Sequence, residues 1–111
     1  MSHTPGPWEF SAGADYGNEG SYADVTALNG DLIIARVNNL IPAGAANGEL
    51  LATAPELLNE LKSLYRAYVR LLEAGHDRIL SLGGDCDPVD KMESEDQNLR
   101  SAQAVIAKAT A

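Results

Sequence analysis

From Leu50 onward the apolar positions recur with a helical rhythm. Leu50, Ala54, Leu57, Leu61, Leu64, Tyr68 and Leu71 are separated by alternating steps of four and three, the spacing of a heptad seam. Leu51, Leu58, Tyr65 and Leu72 form a second row beside it, seven residues apart. The stripe is wider than a two-stranded seam needs, so it has room for a sheet on one flank and a partner helix on the other. The pattern predicts a long helix over 44–82. Pro55 falls inside it, and two readings stay open. Either a short first turn stops at Thr53 and Pro55 opens the main helix at its first position, or one helix runs on with a kink at Pro55. Gly83-Gly84 ends it, and a loop over 83–93 follows. Ser94 then reads as an N-cap, with Glu95 and Asp96 in the first turn and Gln97 three residues on. Leu99, Ala102, Ile106 and Ala109 give a second helix over 94–110 its apolar face, and the two helices make a hairpin.

Residues 1–43 follow a different rhythm. Pro5 and Pro7 bar a helix at the start. Trp8-Glu9-Phe10 alternates apolar and polar as a short strand does. Gly13, Gly17, Asn18 and Gly20 mark a turn-rich connection. Tyr22–Leu28 and Asp31–Val37 are strand candidates, joined through Asn29-Gly30, the dipeptide that best tolerates the positive φ of a tight hairpin. The β-branched run through Leu32-Ile33-Ile34 reads as buried on both faces at its middle. The expected architecture is α+β: a small N-terminal antiparallel β-meander of about three strands, followed by a long C-terminal α-helical hairpin, with 1–111 as a single domain. A sheet that small requires a helix on one face.

Composition narrows the function. The chain has 111 residues and 45% hydrophobic content with a net charge of -8. It is too apolar for a disordered acidic tail. It lacks the basic footprint of a general nucleic-acid binder. No stretch approaches the roughly 18 apolar residues of a membrane span, and MSHTPGPWEF has no signal-peptide order. A lone cysteine, Cys86, forms no intrachain disulfide, and its carboxylate neighbours disfavour a thiolate. Cys86, His3 and His76 do not make up the four ligands of structural zinc. Asp85, Asp87 and Asp90 lack the spacing of a calcium loop. No nucleophile elbow, phosphate loop, dinucleotide fingerprint or zinc-protease motif is present. The expectation is therefore no enzyme, no cofactor and no metal.

The basic charge is unevenly placed. Lys62, Arg66 and Arg70 step by four along the long helix, beside Tyr65. Arginines next to an aromatic ring suit a phosphorylated ligand, the guanidinium clamping phosphate and the ring stacking on a base. Lys62, Tyr65, Arg66 and Arg70 are the candidate ligand-binding residues. The same row also fits a solvated helix face offset by Glu56, Glu60, Glu73 and Asp77.

The opening His3-Thr4-Pro5-Gly6-Pro7-Trp8, the segment Gly48 to Leu58 containing Ala54-Pro55-Glu56-Leu57-Leu58, and the ending Asn98 to Ala109 resemble a class of small phage and prophage proteins. That resemblance implies phage origin and the cytoplasm of the bacterial host. Glu49-Leu50-Leu51 stands where many members carry an Ala-Arg-Leu-Ile-like stretch. The layout, a small sheet and then a helical hairpin, is also similar to phage anti-Thoeris proteins. That family sequesters cyclic ADP-ribose signals between the chains of an oligomer. Three functions follow as expectations. The first is a non-catalytic counter-defence sponge for a cyclic nucleotide, working as a homo-oligomer. The second is an acidic inhibitor of a host defence protein such as a CRISPR effector, using Asp85, Asp87, Asp90, Glu93, Glu95 and Asp96. The third is a phage accessory protein. A helix over 47–80 would run roughly 50 Å, against a radius of gyration near 13 Å for about 100 compact residues. Its leucine stripe is therefore expected to complete its burial against another copy.

Overall fold

A computed structural model of the chain describes residues 2–11 and 22–111. Its elements are β1 (Glu9–Ser11), β2 (Tyr22–Ala27), β3 (Leu32–Asn38), α1 (Gly44–Ser81), α2 (Val89–Glu95) and α3 (Gln97–Ala109). The fold is α+β, with a three-stranded antiparallel sheet in the order β1-β2-β3. The glycine-rich connection expected around Gly13 to Gly20 lies outside the described residues. Two compact units divide the chain, one from His3 to Leu57 and the other built on Leu58 to Ala111.

In the first unit β2 alternates cleanly. Ala23, Val25 and Ala27 are buried, as the two-residue period of a strand requires. β3 does not alternate. Val25 pairs with Ala35 and Thr26 with Ile33, so Ile34 is an extra residue in a β-bulge. The bulge shifts the side-chain period, and Ile33 is 49% exposed while Ile34 is half-buried. The expectation that the middle of this strand is buried on both faces is thus corrected. The β2–β3 connection passes through Leu28, Asn29 and Gly30 with φ of 55°, 56° and 95°. Asn29 and Gly30 suit that conformation. Leu28 does not: a Cβ-bearing residue in the left-handed region costs about 1 kcal/mol.

The sheet is covered by the first turns of α1. Val25, Val37 and Ala52 form the core cluster, with Trp8, Phe10, Ile34 and Ala35 packed around it. Glycines permit the approach. A Cβ on Gly48 would overlap the Phe10 ring, and one on Gly44 would lie 2.5 Å from the Asn38 carbonyl oxygen. The helix starts at Gly44, six residues before the leucine pattern begins at Leu50. The Gly44 N–H donates to Ile41 O (3.0 Å) and the Asn47 N–H to Ala43 O (2.8 Å).

α1 then runs uninterrupted through Pro55, so Pro55 does not start a separate helix. Pro55 has no N–H for the Leu51 carbonyl, but its ring is buried. Gly6 sits so close that a Cβ there would be 3.0 Å from the Pro55 Cβ. Packing against the N-terminal segment compensates for the missing hydrogen bond.

In the second unit α1 ends in a Schellman motif. Gly83 N–H donates to Leu80 O (3.0 Å) and Gly84 N–H to Ile79 O (2.9 Å), with Gly83 at φ 82°. The segment expected as loop over 83–93 instead carries α2, which begins immediately after Pro88. Proline suits such a boundary because the residues after it can enter a helix that it cannot continue. The cap of α3 is Asp96, not Ser94. Asp96 Oδ1 accepts from the Leu99 N–H at 3.0 Å, whereas Ser94 Oγ donates to Lys91 O at 2.9 Å within α2. Leu99 is the buried anchor of α3. Among the described residues, no helix is long and apolar enough to cross a membrane.

Two glycine-to-alanine substitutions separate helix propensity from packing. Gly75 has open space where a Cβ would go, so Gly75→Ala should stabilise by about 1 kcal/mol. Gly48→Ala brings the same propensity gain yet should destabilise by about 1–3 kcal/mol through overpacking on Phe10. Urea denaturation of the two variants measures both signs.

Candidate functional site

The four candidate ligand-binding residues lie on successive turns of α1, within the second unit. The structure brings Lys62, Tyr65 and Arg66 to one wall of a pocket of about 420 Å³, faced by Gln103, Ile106 and Ala107 of α3. Tyr65 and Arg66 also line a second pocket, of about 340 Å³, with Val69, Arg70 and Glu93. Tyr65 and Arg66 thus form the shared wall of both. These volumes fall in the range of small-molecule sites. Spacing on the helix explains the grouping, since residues three and four apart share a face.

Tyr65 is tied across the unit. Its hydroxyl donates to Glu93 Oε1 at 2.9 Å. Burial raises the phenol's pKa above its ordinary value, and the Glu93 hydrogen bond and negative charge push in the same direction. The proton therefore stays on the phenol, and the hydrogen bond ties the side chain to Glu93 of α2.

The cations are free. Among the described residues, no carboxylate lies within 4 Å of Lys62, Arg66 or Arg70. The acids expected to offset the row leave it uncompensated, and Asp77 lies beside His76 instead (3.8 Å). The acidic segment behaves in the opposite way. Asp87 and Glu95 both approach Lys91, at 3.6 and 4.0 Å, Glu93 holds Tyr65, and Asp96 caps α3. Four of its six carboxylates thus have structural partners.

Sequence reasoning missed Gln103, Ile106, Ala107 and Glu93 as pocket residues. Ile106 was legible only as part of the apolar face of α3. Gln103 and Glu93 carry no pattern that marks them, because their pocket position depends on how α2 and α3 meet α1. Among the described residues, no group of three metal-ligating side chains converges.

The whole chain, residues 1–111, matches the family model described as Salmonella phage P22 protein Y8K6. The chain belongs to that family. The phage class implied by the Pro-Gly-Pro-Trp opening is therefore the right one for this Y8K6-family protein. No curated protein matches it, and no solved structure does. The likeness in layout to anti-Thoeris proteins receives no support from these comparisons.

The Tyr65–Glu93 pair has a titration signature. Tyr65 should lose its proton above the ordinary tyrosine pKa of about 10, and Glu93→Gln should bring it back toward that value. Because the folded pKa is the raised one, the stability this proton confers is full below the unfolded pKa. It is lost as pH rises through the folded pKa. Phenolate absorbance of the wild type against Tyr65→Phe isolates the residue; identical titrations of wild type and Glu93→Gln would contradict the coupling.

Proposed function

We propose that this Y8K6-family phage protein is a non-catalytic binding protein that sequesters a cyclic nucleotide, acting as a homo-oligomer in the cytoplasm of the infected bacterium. The observation that carries the reading is the uncompensated Lys62/Arg66/Arg70 row around Tyr65, in a chain of net charge -8. Three free cations beside apolar pocket walls and an aromatic ring match the chemistry of a ligand with phosphates and a planar base. Gln103 offers amide hydrogen bonds to a base edge, and Ile106 and Ala107 supply an apolar floor.

Self-association is supported by what α1 leaves uncovered. Leu64 and Leu71 are 67% and 69% exposed in the second unit. Leu50 and Leu57 are exposed in the first. Rows of leucine at heptad spacing favour a second copy of the same helix. The reading as an acidic inhibitor is weaker, because most carboxylates of the 85–96 segment already have partners within the chain.

Calorimetry with cyclic ADP-ribose isomers and cyclic di- and trinucleotides tests the proposal, with sedimentation giving the oligomeric mass. Heat of binding to at least one ligand is expected. Arg66→Ala should weaken it by about ten- to a hundredfold, the worth of a charged hydrogen bond. A panel without heat or thermal shift overturns the reading.

A further inference from the structure

The first unit holds a cavity that the proposed ligand site does not use. It lies between the Pro5-Gly6-Pro7 segment and the β2–β3 turn, with Glu9, Leu28 and Asn29 in its lining, and measures about 240 Å³. That is below the roughly 300–1,000 Å³ of small-molecule sites and suits a single large side chain.

Its walls are fixed. Gly6 packs closely on Pro55. The Trp8 indole N–H donates to Thr4 O at 3.2 Å, closing the Pro-Gly-Pro segment into a loop. His3 stacks edge-on against Trp8 with centroids 6.2 Å apart. The opposite wall carries the oddity of this unit. Leu28 is held at φ 55° and is 63% exposed. It occupies a backbone position that disfavours leucine and gains little burial in return. Strain without a packing return is a mark of functional positions.

The cavity's one charged lining group is the Glu9 carboxylate. Glu9 is exposed and, among the described residues, has no cation within 4 Å. The Asn29 side-chain amide adds an acceptor. We infer that this cavity is a socket for one arginine side chain of a polypeptide partner. Its aliphatic stem lies against Pro5, Pro7 and Leu28, and its guanidinium pairs with Glu9. The volume favours a single anchor residue, the free carboxylate sets its charge, and the planar guanidinium matches a carboxylate with two parallel hydrogen bonds. Arginine is also among the residues that dominate interface energetics when seated in such pockets.

The test is an amide NMR titration of the full chain with N-acetyl-arginine-N-methylamide, with the citrulline analogue as the isosteric neutral probe. Saturable shifts at Glu9, Leu28, Asn29 and Gly30 are expected with arginine only. Glu9→Gln should weaken binding by about tenfold or more. Leu28→Asn should raise the melting temperature, because asparagine tolerates the left-handed region, yet weaken binding at least severalfold. Equal binding of citrulline, no saturable shift at these residues, or wild-type affinity in both variants would overturn the assignment. Melting curves confirm that each variant is folded when it is titrated.

Discussion

The close approach of Gly48 to the Phe10 ring sets the geometry of the first unit. A three-stranded sheet with a three-residue edge strand buries too little to stand alone. It becomes a unit because α1 comes near enough for Ala52 to reach Val25 and Val37. That distance requires small residues at Gly44, Gly48 and Ala52, four apart on one helix face. It also accounts for the buried proline. Once the helix is held this close, Pro55 meets Gly6, and contact replaces the hydrogen bond that the ring removes. The Thr4 to Trp8 segment is in turn held against the helix that covers the sheet.

Much of this was legible from residue pattern. The three strands, the hairpin at Asn29-Gly30, the long helix and its Gly83-Gly84 stop all follow from local rules of period and φ. The misplaced features share a cause. The Ile34 bulge leaves no mark in a run of β-branched residues. The choice between Ser94 and Asp96 as cap turns on α2, a helix of only seven residues whose pattern is too short to read. The candidate ligand-binding residues were legible because one helix face carries them all. The residues opposite were not, since α2 and α3 bring them there only on folding.

Ion pairing is uneven along the chain. Lys91 gathers two carboxylates, while the three cations beside Tyr65 gather none. An exposed ion pair is worth little to stability, about 0–1 kcal/mol, so leaving those cations unpaired costs the fold little. It preserves a local positive field on a molecule whose overall charge is negative. An anion is repelled by the net negative charge and attracted by the cations of that row, and both effects strengthen at low ionic strength.

The bulge in β3 has a consequence beyond burial. With the order β1-β2-β3, β3 is an edge strand of seven residues, with Leu32 and Ile33 exposed on it. A flat apolar edge of that kind recruits strands from other chains. The extra residue at Ile34 breaks the even spacing of its outward N–H and C=O groups, so an incoming straight strand falls out of register midway. The bulge thus also guards the chain against edge-to-edge aggregation.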